Sequence, residues 1–155
     1  CINIFGKNLK VVNAFGFDLL KKKTFDISTI VLSQNRTKIE IKSSWLNPEK
    51  IRKLIIVGSK KMLLFDEINK MNPIKIYNKY AEYPKINTFK KNFFTEKANI
   101  YYGKTFFPKI KFTSPLTLEI LEFIKSIKNK KTPKSDGEFA LKVMELIERV
   151  NKKLF

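Results

Sequence analysis

The sequence predicts an α+β fold, an open, mainly antiparallel sheet with helices packed on one face. Three observations predict it. From Leu9 to Tyr77 the apolar residues recur at every second position, the period of strands with one face buried and one wet. The connectors between these stretches are short and carry turn residues, and strands joined so tightly run antiparallel. From Ser114 onward the period changes to 3.6 behind helix-start residues, and strands followed by segregated helices form a two-layer architecture.

The elements follow in order. Ile2, Ile4 and Phe5 before Gly6 read as the last turn of a helix stopped by a glycine cap. Strands are expected over Leu9 to Phe17 and Phe25 to Leu32. A third runs from Lys38 to Trp45, where Lys38, Glu40, Lys42 and Ser44 alternate with Ile39, Ile41, Ser43 and Trp45. The next three are Arg52 to Val57, Lys61 to Phe65 and Ile74 to Tyr77, with turns at Ser33-Gln34-Asn35-Arg36 and Gly58-Ser59-Lys60. These strands form one meander of six or more. Asn78 to Ala98 follows neither period and reads as an irregular excursion, then Asn99 to Tyr102 and Phe106 to Phe112 as short extended pieces. Ser114-Pro115 is an N-cap with proline at the first helical position, and Leu116, Ile120, Phe123, Ile124 and Ile127 mark one face of a helix to Lys130. Ser135-Asp136-Gly137-Glu138 reads as a capping box with Ser135 as cap, opening a helix to Phe155 that carries Phe139, Val143, Leu146, Ile147, Val150 and Leu154 on one stripe.

With 155 residues, 43% of them apolar, the chain is the size of one domain, 1–155. Its longest apolar runs, such as Leu54 to Val57, fall far short of the roughly 20 residues that cross a bilayer, so no membrane is expected. One cysteine excludes an internal disulfide; with no histidine there is no Cys2His2 zinc site, no Ser-His-Asp triad and no Cys-His dyad. The five glycines, at 6, 16, 58, 103 and 137, are too far apart to write a G-x-G-x-x-G or P-loop cradle. A start at Cys1 reads as a fragment or a processed product. The net charge of +18 raises nucleic acid as a partner, but 29 of the 32 basic residues are Lys. Arg is the residue of planar phosphate and guanine recognition, so the charge reads first as a solvated lysine surface.

Most carboxylates stand where a structural role suffices: Glu119 and Glu122 in early helical turns, Glu138 in the capping box, Glu145 four residues before Arg149, Asp66 and Glu67 in a turn. No pair has the spacing of a general acid and base, so no catalytic residue and no metal ligand is assigned. Ser43 to Asp66 is the most distinctive stretch. Trp45 at a strand end, a turn with Pro48, then Lys50 and Arg52 on one face of the next strand place an aromatic and two cations at one rim. Such a rim suits an anionic or sugar ligand; a packed aromatic corner has the same spacing. Tyr80, Tyr83, Phe89, Phe93 and Phe94, interleaved with lysines, anchor a long loop or form a stacking platform. The second alternative makes the chain a small basic single-stranded nucleic-acid-binding module.

S-W-L-N-P-E-K-I-R followed by I-V-G-S-K-K-M-L-L-F-D resembles the central strands of the C-terminal domain of Gfo/Idh/MocA-type oxidoreductases. Gly103, Pro108, Pro115-Leu116, Glu119 and Phe123-Ile124 resemble the later motifs of its sugar-nucleotide members, and Pro133 with Ser135-Asp136-Gly137 resembles its terminal P-x-S-D-G. The chain departs at Ser114, where the pattern has Glu, and at Lys61, where it has Gly. The resemblance implies the C-terminal substrate-binding and oligomerisation domain of a cytoplasmic, NAD- or NADP-dependent sugar or sugar-nucleotide dehydrogenase. Its other half would be an N-terminal Rossmann domain with the cofactor loop and a catalytic lysine, so this part alone binds no cofactor. Trp45, Lys50 and Arg52 would then meet the sugar substrate, and the sheet would pack against a second copy.

Overall fold

The computed structural model describes residues 2–6, 8–82, 98–110 and 113–154. Its elements are α1 (Ile2–Phe5), β1 (Lys10–Phe17), β2 (Ile27–Gln34), β3 (Thr37–Ser44), β4 (Lys53–Val57), β5 (Met62–Asp66), β6 (Ile74–Glu82), β7 (Asn99–Phe106), α2 (Pro115–Lys128) and α3 (Gly137–Leu154). The fold is α+β with antiparallel pairing throughout. The strands form two sheets, β1-β2-β3 and β4-β5-β6-β7, where the period alone suggests one continuous meander. Local periodicity reports which residues alternate but not which neighbours exchange hydrogen bonds, so the break between β3 and β4 leaves no trace in it. The chain divides accordingly into two compact units, 1–48 with 114–155, and 49–113.

In the first unit, the register of β1 slips between Val11 and Asn13 against Leu32 and Val31, which makes Val12 the extra residue of a bulge. The bulge lets Val11 and Ala14 both face the core, a placement that strict alternation forbids. Leu9, Ala14, Leu32, Ile39 and Val150 are buried there, with Ile30, Ile41, Phe139, Val143, Leu146 and Leu154 packed around them. The stripe of α3 therefore covers one face of β1-β2-β3, as its period predicts. Arg149 extends the contact by donating from Nη1 to the Leu9 carbonyl at 3.2 Å. The β2–β3 hairpin turns at Asn35, whose φ of 51° lies in the left-handed region that Asn tolerates. Gly6 ends α1 with φ 86° and its N–H on the Ile2 carbonyl at 2.8 Å, the glycine cap read from the sequence.

Two cap details differ from expectation. Ser114 occupies the N-cap of α2 but its side chain makes no capping bond; proline at the first helical position has already removed one donor. For α3 the cap is Asp136, not Ser135: its Oδ1 accepts from the Phe139 N–H at 2.8 Å, and Glu138 turns outward to Lys142 at 3.4 Å. The helix starts one residue later than the box assumes, and the capping oxygen must stand three residues before its donor.

In the second unit, β6 runs on to Glu82, through residues read as irregular, and pairs with β7. Four residues of β7, Thr105 to Tyr102, span the same ladder as three of β6, Tyr77 to Lys79. Gly103 lies in this bulge, where an added Cβ would come within 2.8 Å of Asn78. Aromatic spacing hides such a strand because the bulge breaks the period. Phe106 ends β7, and no strand continues through 107–110. The expectations for Tyr83, Phe89, Phe93 and Phe94 lie outside the described residues.

Candidate functional site

The segment that carries Trp45, Lys50 and Arg52 links β3 to β4. Trp45 closes the β3 ladder by donating its N–H to the Asp26 carbonyl at 2.9 Å, and its side chain is 85% exposed. The next residue, Leu46, donates to Ser44 Oγ at 3.0 Å, so the backbone turns sharply away from the strand. Trp45 belongs to the first unit; Lys50 and Arg52 belong to the second and are exposed. Both precede β4, which begins at Lys53, so they do not share a strand face as the spacing suggests. Arg52 is engaged: its Nη1 donates to Glu67 Oε1 at 3.0 Å, and its carbonyl accepts from the Glu67 N–H at 3.0 Å. This double contact ties the entry of β4 to the turn after β5.

Asp66 ends β5, and its side chain serves the turn that follows. Its Oδ1 accepts from the Ile68 N–H at 3.2 Å and its Oδ2 lies 3.5 Å from Lys53 Nζ. Asp26 is the buried carboxylate of the described residues; its Oδ2 accepts from the Leu20 N–H at 2.8 Å and holds the 18–26 loop against the sheet. Among the described residues no cluster of acidic residues and cysteine could hold a metal ion. The Glu148 carboxyl is held below its ordinary range by the Lys152 ammonium, which bonds to it at 2.8 Å on the open surface of α3. That is an i, i+4 pair rather than a catalytic group.

The first unit carries two open grooves along α2. One, of about 680 Å³, runs between Leu116, Ile120, Phe123 and Pro133 with Glu119 and Glu122 on its rim. The other, of about 340 Å³, continues past Ile127 to Lys130 and Lys131. The second unit presents a sheet whose two faces differ. By register, Leu54, Ile56, Leu63, Phe65, Ile74 and Ile76 share one face. Lys75, Tyr77 and Lys79 share the other with Met62, Leu64 and the exposed Ile55 and Val57, and Tyr102 stands there opposite Lys79. Lys79 Nζ lies 4.5 Å from the Tyr102 ring centroid, a cation–π contact, and Tyr80 stacks on Tyr101 at 4.6 Å on the opposite face. Sequence reading placed Lys79 and Tyr80 in the excursion and missed this arrangement. The Lys-Tyr-Lys alternation of residues 75, 77 and 79 was its available signal.

The glycines differ in what surrounds them. Gly16 faces the Phe25 ring and Gly103 faces Asn78, each with a Cβ position 2.8 Å from the neighbour, and Gly6 abuts Gln34. Gly137 opens α3 with open space where a Cβ would stand. No protein-family model, curated protein or solved structure matches the chain.

Proposed function

We propose that this chain is the C-terminal substrate-binding and oligomerisation domain of an NAD(P)-dependent sugar or sugar-nucleotide oxidoreductase. The observation that carries the reading is the ordered motif series, S-W-L-N-P-E-K-I-R, I-V-G-S-K-K-M, P-L-T-L-E and P-K-S-D-G, over 44–137. An α+β architecture of antiparallel strands followed by helices agrees with it. The nicotinamide cofactor, bound elsewhere in the parent enzyme, would accept or return the hydride; the residues here hold no part of it. Their work is to orient the sugar, which lowers the entropic cost of reaching the transition state. Within the second unit, Lys50 offers an unburied cation to an anionic substituent. Arg52 keeps donors beyond the one that meets Glu67, so a ligand carboxylate or phosphate can share it.

The test is hydride transfer by the enzyme translated from the whole coding sequence, followed by the ultraviolet absorbance of reduced nicotinamide with a panel of nucleotide sugars. Turnover is expected with at least one of them, and Arg52→Ala should raise KM for it with kcat little changed. A coding sequence with no strand-G-x-G-x-x-G-helix ahead of these residues, or no turnover with any sugar, would refute the reading.

A further inference from the structure

The face of the β4–β7 sheet that carries Lys75, Tyr77 and Lys79 holds none of the residues proposed to meet the sugar. Its chemistry is specific. Along β6 the cations and the ring alternate on one side, and Tyr102 of β7 is registered beside Lys79. Tyr102 remains 73% exposed although Lys79 Nζ stands over its ring. The one carboxylate that the register places on this face, Asp66, is already paired with Lys53. Aromatic rings therefore lie beside positive charge on an antiparallel sheet, in a chain with a net charge of +18.

A ring flanked by an ammonium matches the two ends of one nucleotide, a base with a π face and a phosphate with a negative charge. Tyr102 with Lys79 is such a pair, and Lys75 and Tyr77 precede Lys79 on the same face of β6. The cations are lysines rather than arginines, which neutralise phosphate as point charges without reading base edges. A polyanion without bases would leave the rings unused, and an apolar partner would bury the lysines unpaired.

We propose that this face binds single-stranded nucleic acid without sequence preference, with bases stacked on Tyr77 and Tyr102 and phosphates paired with Lys75 and Lys79. The proposal stands independently of the oxidoreductase reading. It is tested by fluorescence anisotropy of the 155-residue chain with a labelled oligothymidylate of about ten nucleotides, within the site sizes such surfaces cover. An abasic strand of equal length and thymidine monophosphate are the comparisons. The oligothymidylate should bind more tightly than the abasic strand. Tyr102→Ala should weaken it by roughly 5- to 100-fold, while Tyr102→Phe retains binding. Each of Lys75→Gln and Lys79→Gln should reduce the dependence of log K on log salt by about 0.7. Tyr102 is exposed, so its replacement leaves the fold intact, and an unchanged circular dichroism spectrum checks this. Equal affinity for the abasic strand, or indifference to Tyr102→Ala, would reduce the effect to general lysine electrostatics and overturn the proposal. Thymidine monophosphate binding as tightly as the strand would overturn it too, and assign the face to a free nucleotide.

Discussion

Lys130 ends α2 with φ 51°, a left-handed conformation that costs a side chain with a Cβ about 1 kcal/mol or more. The conformation is required because two orphan carbonyls are satisfied through it: Lys130 N–H donates to Ile127 O at 3.2 Å and Lys131 N–H to Ser126 O at 3.0 Å. Lys130→Gly should therefore raise the unfolding free energy by about 1 kcal/mol, read from the midpoint of a urea titration at constant slope. At the other end of the connection, Asp136→Ala removes the carboxylate that caps α3 and should cost about 1 kcal/mol. Ser135→Ala, one residue earlier, should cost almost nothing; the reverse order would restore Ser135 as the cap. The Glu148 carboxyl is depressed by Lys152, so its pairing is complete above the ordinary carboxylate range and is lost as pH falls through the lowered value. A carbon-detected titration should show Glu148 moving back toward the ordinary range in Lys152→Ala.

At the scale of elements, α3 and the β6–β7 bulge are the informative cases. The α3 stripe packs on β1-β2-β3 through Val150, Val143 and Leu146, around Leu32, which is 1% exposed. Leu32→Ala leaves a cavity under a helix and should cost about 2–5 kcal/mol. Leu118→Ala on α2, at a side chain 53% exposed, should stay within about 0.5 kcal/mol. Gly103 and Gly137 make a second contrast. A methyl at Gly103 meets the Asn78 backbone oxygen at 2.8 Å, so Gly103→Ala should open the β6–β7 pairing and speed amide exchange of Tyr101 and Tyr102. Gly137 has open space where its Cβ would be and no positive φ, so Gly137→Ala should stabilise by roughly 0.5–1 kcal/mol.

For the whole molecule the governing quantities are charge and uncovered apolar surface. On β1, Phe15 and Phe17 are 47% and 54% exposed, on the face opposite the buried Ala14. Strands apolar on both sides call for cover on both sides. Association of the β1-β2-β3 sheet with a second copy is therefore the expected outcome, opposed by a net charge of +18 whose repulsion is screened over about 8 Å at physiological salt. Light scattering should show mass rising with salt from the monomer toward a dimer. A monomer at every salt and protein concentration would refute sheet-mediated pairing.

Elements written in local chemistry were legible before any coordinates: the glycine stop of α1, the hairpins of β1 to β3 and of β4 with β5, both long helices, and the stripe that α3 buries. Each depends on residues within a few positions of one another, through φ preference, period or capping. What tertiary structure alone decided depends on partners distant in sequence. It split the strands into two sheets, bulged β1 at Val12 and β7 at Gly103, and engaged Arg52 with Glu67. It also set Lys79 over Tyr102, in a strand pair whose second member lies beyond the excursion. Spacing places Trp45, Lys50 and Arg52 near one another along the chain, but strand boundaries and ion pairs determine which way each is presented. Hydrogen-bond register is chosen by the whole sheet, because shifting one strand by a single residue exchanges its faces, and no short window of sequence contains that choice.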